Sequence, residues 1–165
     1  MSEYVAVVVW DRRDARFVDG RYSRAHRWEF DGGTIVPASS SPHVVPVPLS
    51  DAHAVDPEEA FVASLASCHM LWFLSIAAKR GYCVETYRDR ALGVMDRGAN
   101  GRPAMTAVTL HPHTIFGPGA EPTAQDLAAM HEEAHRECFI ANSVTTRLST
   151  IPTFAIASAN GPSSR

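Results

Sequence analysis

Three cysteines, Cys68, Cys83 and Cys138, are the side chains of this sequence whose reactivity depends most on their surroundings. A thiolate is a nucleophile and a redox centre, whereas a buried neutral thiol behaves as a small inert hydrophobe. An odd number of cysteines without the density of a disulfide scaffold indicates a reducing compartment, where a disulfide is catalytic more often than structural. Taken alone, the cysteines do not decide between a catalytic and a structural role.

A second candidate site is a match to the HExxH zinc hydrolase pattern at His131, Glu132 and His135. Histidines four positions apart share one face of a helix. Glu133, however, adds a charge to a helix that would be apolar in a buried metalloprotease, and no third ligand follows at a familiar spacing. We expect an amphipathic surface helix with solvated histidines, and no metal site.

The element that must position Cys68 is a long helix predicted from Asp56 to Gly81. Asp56 is suited to the N-cap, Glu59 to closing a capping box, and Gly81 to the left-handed conformation that ends a helix. No charged side chain occurs between residues 60 and 78. Such a helix is either buried on all sides or inserted in a membrane, and its small and polar residues favour burial. Because one small domain offers too little cover, the helix predicts an intimate homodimer.

Strict alternation from Arg21 to Phe30 predicts a strand that directs Tyr22, Arg24 and Trp28 to its inward face. An inward arginine requires an anionic partner, or its donors are satisfied by carbonyl groups at the sheet edge. Both interpretations of Arg24 are open.

The remaining pattern predicts alternating strands and helices. Strands are expected at residues 4–10, 34–36, 82–95, 105–116 and 151–157, and a second helix from Thr123 to Cys138 with a further helical piece after it. The strands at 82–95 and 105–116 are expected to form an antiparallel hairpin. The sequence therefore predicts one α+β domain over residues 1–159, with the long central helix packed on a mainly antiparallel β-sheet, and a loose tail over residues 160–165.

Bulk properties exclude several classes of function. The formal net charge is -3 at pH 7 and the isoelectric point is near 6.2, so no basic surface for nucleic acid is expected. The first residues lack the basic and apolar regions of a signal peptide. We expect a cytoplasmic protein that binds neither nucleic acid nor membrane.

Three segments of the chain together resemble the OsmC/Ohr family of thiol peroxidases, named after osmotically inducible protein C and organic hydroperoxide resistance protein. DPEEAFVASLASCHMLWFLSIAAKRG is similar to the central helix of that family, YSRAHRWEFDGG to the segment with its arginine, and RECFIANSV to the segment with its second cysteine. The resemblance extends from about Tyr22 to the last strand. Its most specific part is the Pro-Glu pair followed ten residues after the Glu by Cys.

The resemblance implies an intertwined homodimer that reduces organic hydroperoxides to alcohols without a cofactor, recycled by an external dithiol of the lipoyl type or another. It implies that Cys68 is the peroxidatic cysteine and Cys138 the resolving cysteine. It also implies that Glu58 is the carboxylate and Arg24 the arginine of the family's site. Cys83 has no counterpart and is predicted to be structural. A non-catalytic member that binds an apolar small molecule in the interface pocket is the alternative.

Two further expectations concern the geometry of this site. Apolar neighbours favour an organic substrate over hydrogen peroxide; they are Phe61, Leu65, Met70 and Trp72, of which Phe61, Leu65 and Trp72 are the predicted substrate-binding residues. Ten helical residues rise ~15 Å, so Glu58 and Cys68 of one chain cannot share a small site and are expected to meet across the dimer. One departure from the family pattern is Phe139-Ile140 after Cys138, where Pro and a small apolar residue are common.

Overall fold

The computed structural model describes residues 1–158 and divides the chain into two units, Met1–Phe61 and Val62–Arg165. The tail predicted at residues 160–165 lies outside the described residues. The units are described one at a time, and the single domain predicted over residues 1–159 stays a prediction.

The first unit contains a three-stranded antiparallel sheet with β2 in the centre. Its strands are β1 (Ala6–Val9), β2 (His26–Phe30) and β3 (Ile35–Ala38). The strand predicted from Arg21 begins only at His26, because the backbone N–H of Arg24 donates to the carbonyl of Leu49 instead of to a strand ladder. Gly33, with φ of +82°, lies in the turn between β2 and β3.

Helix α1 (Pro57–Lys79) begins and ends at the predicted signals. The Asp56 carboxylate accepts from the backbone N–H of Glu59 at 2.7 Å, and the Glu59 carboxylate accepts from the backbone N–H of Asp56 at 3.2 Å, which confirms the capping box. Gly81 takes a φ of +81° and terminates the helix. The helix starts in the first unit and continues through the second.

In the second unit, the predicted hairpin forms but is divided between two sheets. Its strands are β4 (Val84–Asp89), β5 (Leu92–Arg97), β6 (Pro103–Leu110) and β7 (Pro112–Phe116). Strand β4 pairs with β7, and β5 pairs with β6, both antiparallel. The prediction of two uninterrupted strands is therefore wrong. At the break, the Asp89 carboxylate accepts from the backbone N–H of His111 at 2.7 Å, so a side chain replaces a ladder bond.

Two C-terminal strands join these sheets in parallel. Strand β8 (Arg147–Thr150) pairs with β6, and β9 (Thr153–Ile156) pairs with β7. Strand β8 is absent from the prediction, and the predicted helical piece is a short 3-10 turn at Ala141–Ser143. The predicted α+β class with mainly antiparallel pairing is confirmed, and within residues 1–158 the strands are divided among three short sheets.

Helix α2 (Ala124–Glu137) packs with α1 over the sheet β4-β7-β9. Thr123 and Asp126 form a capping box at its start. The shared core is apolar and consists of Phe73, Ile76, Ala77, Phe116, Leu127, Met130 and Ala134. Arg80 and Glu133 join the two helices at the surface with an ion pair of 2.6 Å.

One side of α1 is not covered within the chain. Five uncharged residues of the helix, spaced three or four apart, are exposed, and we call them the open stripe: Ala63, Ser67, Leu71, Ser75 and Ala78. Burial of α1 on every side is thus not reached within residues 1–158 of one chain. Within residues 1–158, α1 is also the one helix long and apolar enough to cross a membrane, a test that core helices of soluble proteins pass as well.

Candidate active site

The structure brings Cys68 and Cys138 into contact, although 70 positions separate them in the sequence. Cys68 lies midway along α1 and is half-buried, whereas Cys138 directly follows α2 and is 1% exposed. Their side chains are hydrogen-bonded. Packing of α2 against α1 is what places the two sulfurs side by side.

The surroundings of Cys138 keep its thiol protonated. Burial and the hydrogen bond to Cys68 raise the pKa of Cys138 to about 11. A backbone N–H from Ala141 lies 3.4 Å from the Cys138 sulfur and acts in the opposite direction without offsetting these effects. A pKa above the ordinary value means that Cys138 is a neutral S–H donor near neutral pH.

An aromatic pair flanks the two cysteines. Trp72 lies one helical turn after Cys68, and Phe139 directly follows Cys138. Their ring centroids are 5.5 Å apart at an interplanar angle of 81°, an edge-to-face contact. Phe139 is nevertheless 69% exposed.

The other apolar residues predicted to surround the site have different environments. Leu65 is 1% exposed and belongs to the protein interior. Met70 is half-buried on α1 in the second unit. Phe61 is half-buried and is the last residue of the first unit. Their contact with a substrate stays a prediction.

Arg24 is half-buried in the first unit and is held by neutral groups. Its Nη1 donates to the carbonyl oxygens of Gly20 and Tyr22, and its guanidinium carbon lies 3.8 Å from the centroid of the Tyr22 ring. Tyr22 is itself fixed by ring contacts with Trp10 and Phe17. Of the two interpretations left open by the sequence, satisfaction by carbonyl groups is the one observed within residues 1–158.

Glu58 lies in the first turn of α1, also in the first unit. Its Oε2 is buried and makes no hydrogen bond within the described part of the chain. A buried carboxylate oxygen without a donor is costly, so this oxygen requires one. The association of Glu58 and Arg24 with the cysteines, which belong to the second unit, stays a prediction.

Cys83 stands apart from the cysteine pair in its environment. It is exposed, and its sulfur lies 3.9 Å from Oε1 of Glu85. It serves as a natural control for the other two thiols.

A buried pair of histidines was not foreseen from the sequence. His69 and His131 are 2% and 4% exposed, and Nε2 of His69 lies 2.9 Å from Nδ1 of His131. The expectation of a solvated His131 is therefore wrong, because the apolar face of α2 extends to this residue. The signal was available, since His69 is the one imidazole in the uncharged part of α1.

Burial lowers the pKa of His69 to about 4 and that of His131 to about 3, so both rings are neutral near pH 7. The ring of His131 also stacks on Phe73, with centroids 4.3 Å apart. His131 is thus committed to the contact between the helices. Within residues 1–158, no three His, Cys, Asp or Glu side chains are grouped as metal ligands.

A close relative is found among the solved structures. An OsmC-like protein of unknown function from Vibrio cholerae is 56% identical and superposes with a TM-score of 0.90, covering 92% of this chain and 99% of the relative. No match was found among curated proteins.

Two more distant structures share the fold. An organic hydroperoxide resistance protein from Elizabethkingia anophelis is 16% identical with a TM-score of 0.67, covering 95% of this chain and 98% of its own. The organic hydroperoxide resistance protein of Bacillus subtilis is 15% identical with a TM-score of 0.62, covering 92% and 98%. The family model described as OsmC-like protein matches residues 50–151, which contain α1 and both site cysteines. The chain therefore belongs to the OsmC-like protein family.

Proposed function

We propose that this protein is a thiol-dependent peroxidase that reduces organic hydroperoxides to alcohols through Cys68 and Cys138. The hydrogen-bonded contact between these two side chains carries the proposal. Two proteins with the same fold are named organic hydroperoxide resistance proteins, which supports the same substrate class for this chain.

The chemistry proceeds in three balanced steps. The Cys68 thiolate attacks one peroxide oxygen, so an S–O bond forms, the O–O bond breaks and the alkoxide takes up a proton to leave as alcohol. The Cys138 sulfur then attacks the Cys68 sulfenic acid, forming a disulfide and releasing water. An external dithiol supplies two electrons and two protons to restore both thiols.

Different environments assign the two cysteines to different steps. Cys68 is half-buried and open to a substrate, whereas Cys138 is 1% exposed and cannot meet one directly. The raised pKa of Cys138 makes it the hydrogen-bond donor of the pair. Once Cys68 is a sulfenic acid, its charge no longer opposes ionisation of Cys138, and Cys138 becomes the attacking thiol.

We assign Glu58 and Arg24 to the same reaction as positioning residues contributed by the partner subunit of a homodimer. The uncharged open stripe of α1 supports a dimer, because a second copy would cover it. The buried, unpartnered Oε2 of Glu58 supports pairing with a guanidinium. The odd count of three cysteines supports a cytoplasmic location.

The experiment is consumption of cumene hydroperoxide by the purified protein with a dithiol reductant, such as dihydrolipoamide. We expect Cys68→Ser to abolish turnover and Cys138→Ser to leave a single stoichiometric oxidation of Cys68. Cys83→Ser is the matched control and is expected to retain wild-type turnover.

Absence of turnover by wild-type protein with fully reduced, titratable thiols would refute the proposal. Binding of an apolar small molecule in a dimer interface would then be the function to test. Turnover that survives Cys68→Ser but is lost on treatment with a chelator would instead indicate a metal-dependent reduction of the hydroperoxide.

A further inference from the structure

We propose that Phe139, together with Trp72, forms an aromatic wall that selects hydroperoxides with a bulky aromatic group. This inference rests on the proposed function and specifies its substrate class. The aromatic wall means these two rings throughout.

The aromatic wall lies next to the reactive sulfur because each of its rings is close in the sequence to one of the two site cysteines. Trp72 is four residues after Cys68 on α1, so their side chains are neighbours on one helix face. Phe139 is covalently next to Cys138, whose side chain is hydrogen-bonded to Cys68. Each ring is therefore anchored beside one member of the cysteine pair.

Local hydrogen bonds hold Phe139 in place. The hydroxyl of Ser143 donates to the carbonyl of Phe139 at 2.7 Å, and the backbone N–H of Asn142 donates to the carbonyl of Cys138 at 3.0 Å. The side-chain amide of Asn142 donates to the carbonyl of Arg136 at 2.9 Å. Phe139 thus projects from a fixed turn and keeps its ring against Trp72 without being buried.

The exposure of Phe139 has no explanation in the packing of the second unit. The phenyl ring of Phe139 is 69% exposed although the adjacent Cys138 is buried. The ring therefore offers apolar surface to a bound molecule. The substrate has to place its peroxide group at Cys68, which leaves its organic group beside the wall. An aryl group gains an edge-to-face or offset contact there, whereas a tert-butyl group gains less area and no ring contact.

The test measures the oxidation of Cys68 alone, in a Cys138→Ser background where no disulfide or reductant contributes. Sulfenic acid is trapped with dimedone and quantified by mass spectrometry, with cumene hydroperoxide and tert-butyl hydroperoxide as the two substrates. The variants are Phe139→Ala and Phe139→Leu, and Leu92→Ala is the matched control because Leu92 is also an exposed apolar side chain, on β5.

We expect Phe139→Ala to lower the rate constant for cumene hydroperoxide about tenfold relative to that for tert-butyl hydroperoxide, the range of one lost aromatic contact. Phe139→Leu should recover part of this preference, and Leu92→Ala should leave it unchanged. An unchanged ratio in Phe139→Ala overturns the inference while the proposed function stands. Absence of Cys68 oxidation by either hydroperoxide refutes the proposed function itself.

Discussion

Cys68 and Cys138 carry the same functional group in two different environments. One is half-buried on a helix face, and the other is nearly inaccessible and donates a hydrogen bond to the first. Their separate roles follow from accessibility and from the proton that Cys138 retains. The pair should therefore respond to mutation as a coupled unit.

The first prediction concerns the ionisation of Cys138. Replacing Cys68 with Ala removes the hydrogen bond and the charge that help to raise the Cys138 pKa to about 11. We expect the Cys138 pKa to fall but to stay above its ordinary value, since burial persists and is the largest cause. The pH dependence of iodoacetamide labelling of the variant, followed on the Cys138 peptide, gives this pKa. A labelling profile like that of the wild type would show that the contact with Cys68 does not affect the pKa of Cys138.

At this scale, the sequence alone identifies reactive side chains but not their contacts. Resemblance to a family selected Cys68 and Cys138 together, whereas no local pattern joins residues 70 positions apart. The His69–His131 contact escaped prediction for the same reason. The alternation of residues correctly predicted that Arg24 lies on the half-buried side of its segment. Its carbonyl partners could not be predicted, because they belong to a turn and a turn has no periodic pattern in the sequence.

Among the elements, α1 is the one whose ends are best specified, and its N-cap can be tested directly. Asp56→Ala removes the acceptor for the backbone N–H of Glu59. We expect a loss of about 1 kcal/mol in the free energy of unfolding, measured by urea denaturation. Asp56→Ser, which retains a cap, should lose much less. Equal losses in the two variants would contradict a capping role.

Gly93 determines how closely β5 approaches α1. A Cβ added at this position would lie 2.5 Å from side-chain atoms of both Val62 and Met105. We expect Gly93→Ala to destabilise the fold by roughly 1–3 kcal/mol through overpacking, measured as the shift in the urea midpoint.

A second substitution, in the Val62 side chain that the added Cβ would meet, tests the overpacking at Gly93. Gly93→Ala combined with Val62→Ala should recover part of the loss, because one of the two contacts is relieved. Gly98→Ala is the control in the same hairpin, since its added Cβ meets its nearest atoms at 3.4 Å. A Gly98→Ala variant as unstable as Gly93→Ala would point to backbone effects rather than overpacking.

Elements with local signals were predicted, and those that depend on distant pairing were not. The capping residues of both helices lie within four positions of the bonds they make, so the sequence contains the whole signal. The division of the hairpin depends on Asp89 meeting His111, and β8 exists as a strand because β6 lies beside it. Such pairings are properties of the folded chain.

For the molecule as a whole, the open stripe predicts self-association. Leu71 is 63% exposed in the stripe and carries no polar group that would justify that exposure. We expect Leu71→Glu to convert a dimer into monomers, because the charge would have to be buried in the interface. Sedimentation velocity measures the outcome. Leu92→Glu, on β5, is the matched control, and wild-type protein that sediments as a monomer would refute the dimer.

Acid should destabilise the fold through the histidine pair. Burial lowers the pKa of His69 from 6.5 to about 4 and that of His131 from 6.5 to about 3. Below pH 6.5 the unfolded chain binds protons that the folded chain does not. The contribution of the neutral histidine pair to stability is therefore complete above pH 6.5 and is lost as the pH falls toward 4. Each histidine can lower the free energy of unfolding by as much as ~1.4 kcal/mol for every pH unit of acidification in this window.

Urea midpoints at pH 7.5 and pH 5 test this dependence. We expect His131→Gln to reduce the difference between the two midpoints relative to wild type. His113→Gln is the control, because His113 is exposed and bonds to Thr153 at the surface. Parallel pH dependence in wild type and His131→Gln would show that the pair does not titrate as inferred.

The parallel pairing of the last two strands also sets the order of events during synthesis. Strand β8 completes the sheet of β6, and β9 completes that of β7, yet both follow Cys138 along the chain. Because such long-range pairings form late, neither sheet of the second unit is complete until residues up to Ile156 have left the ribosome. Both site cysteines are therefore synthesised before the strands that complete these two sheets.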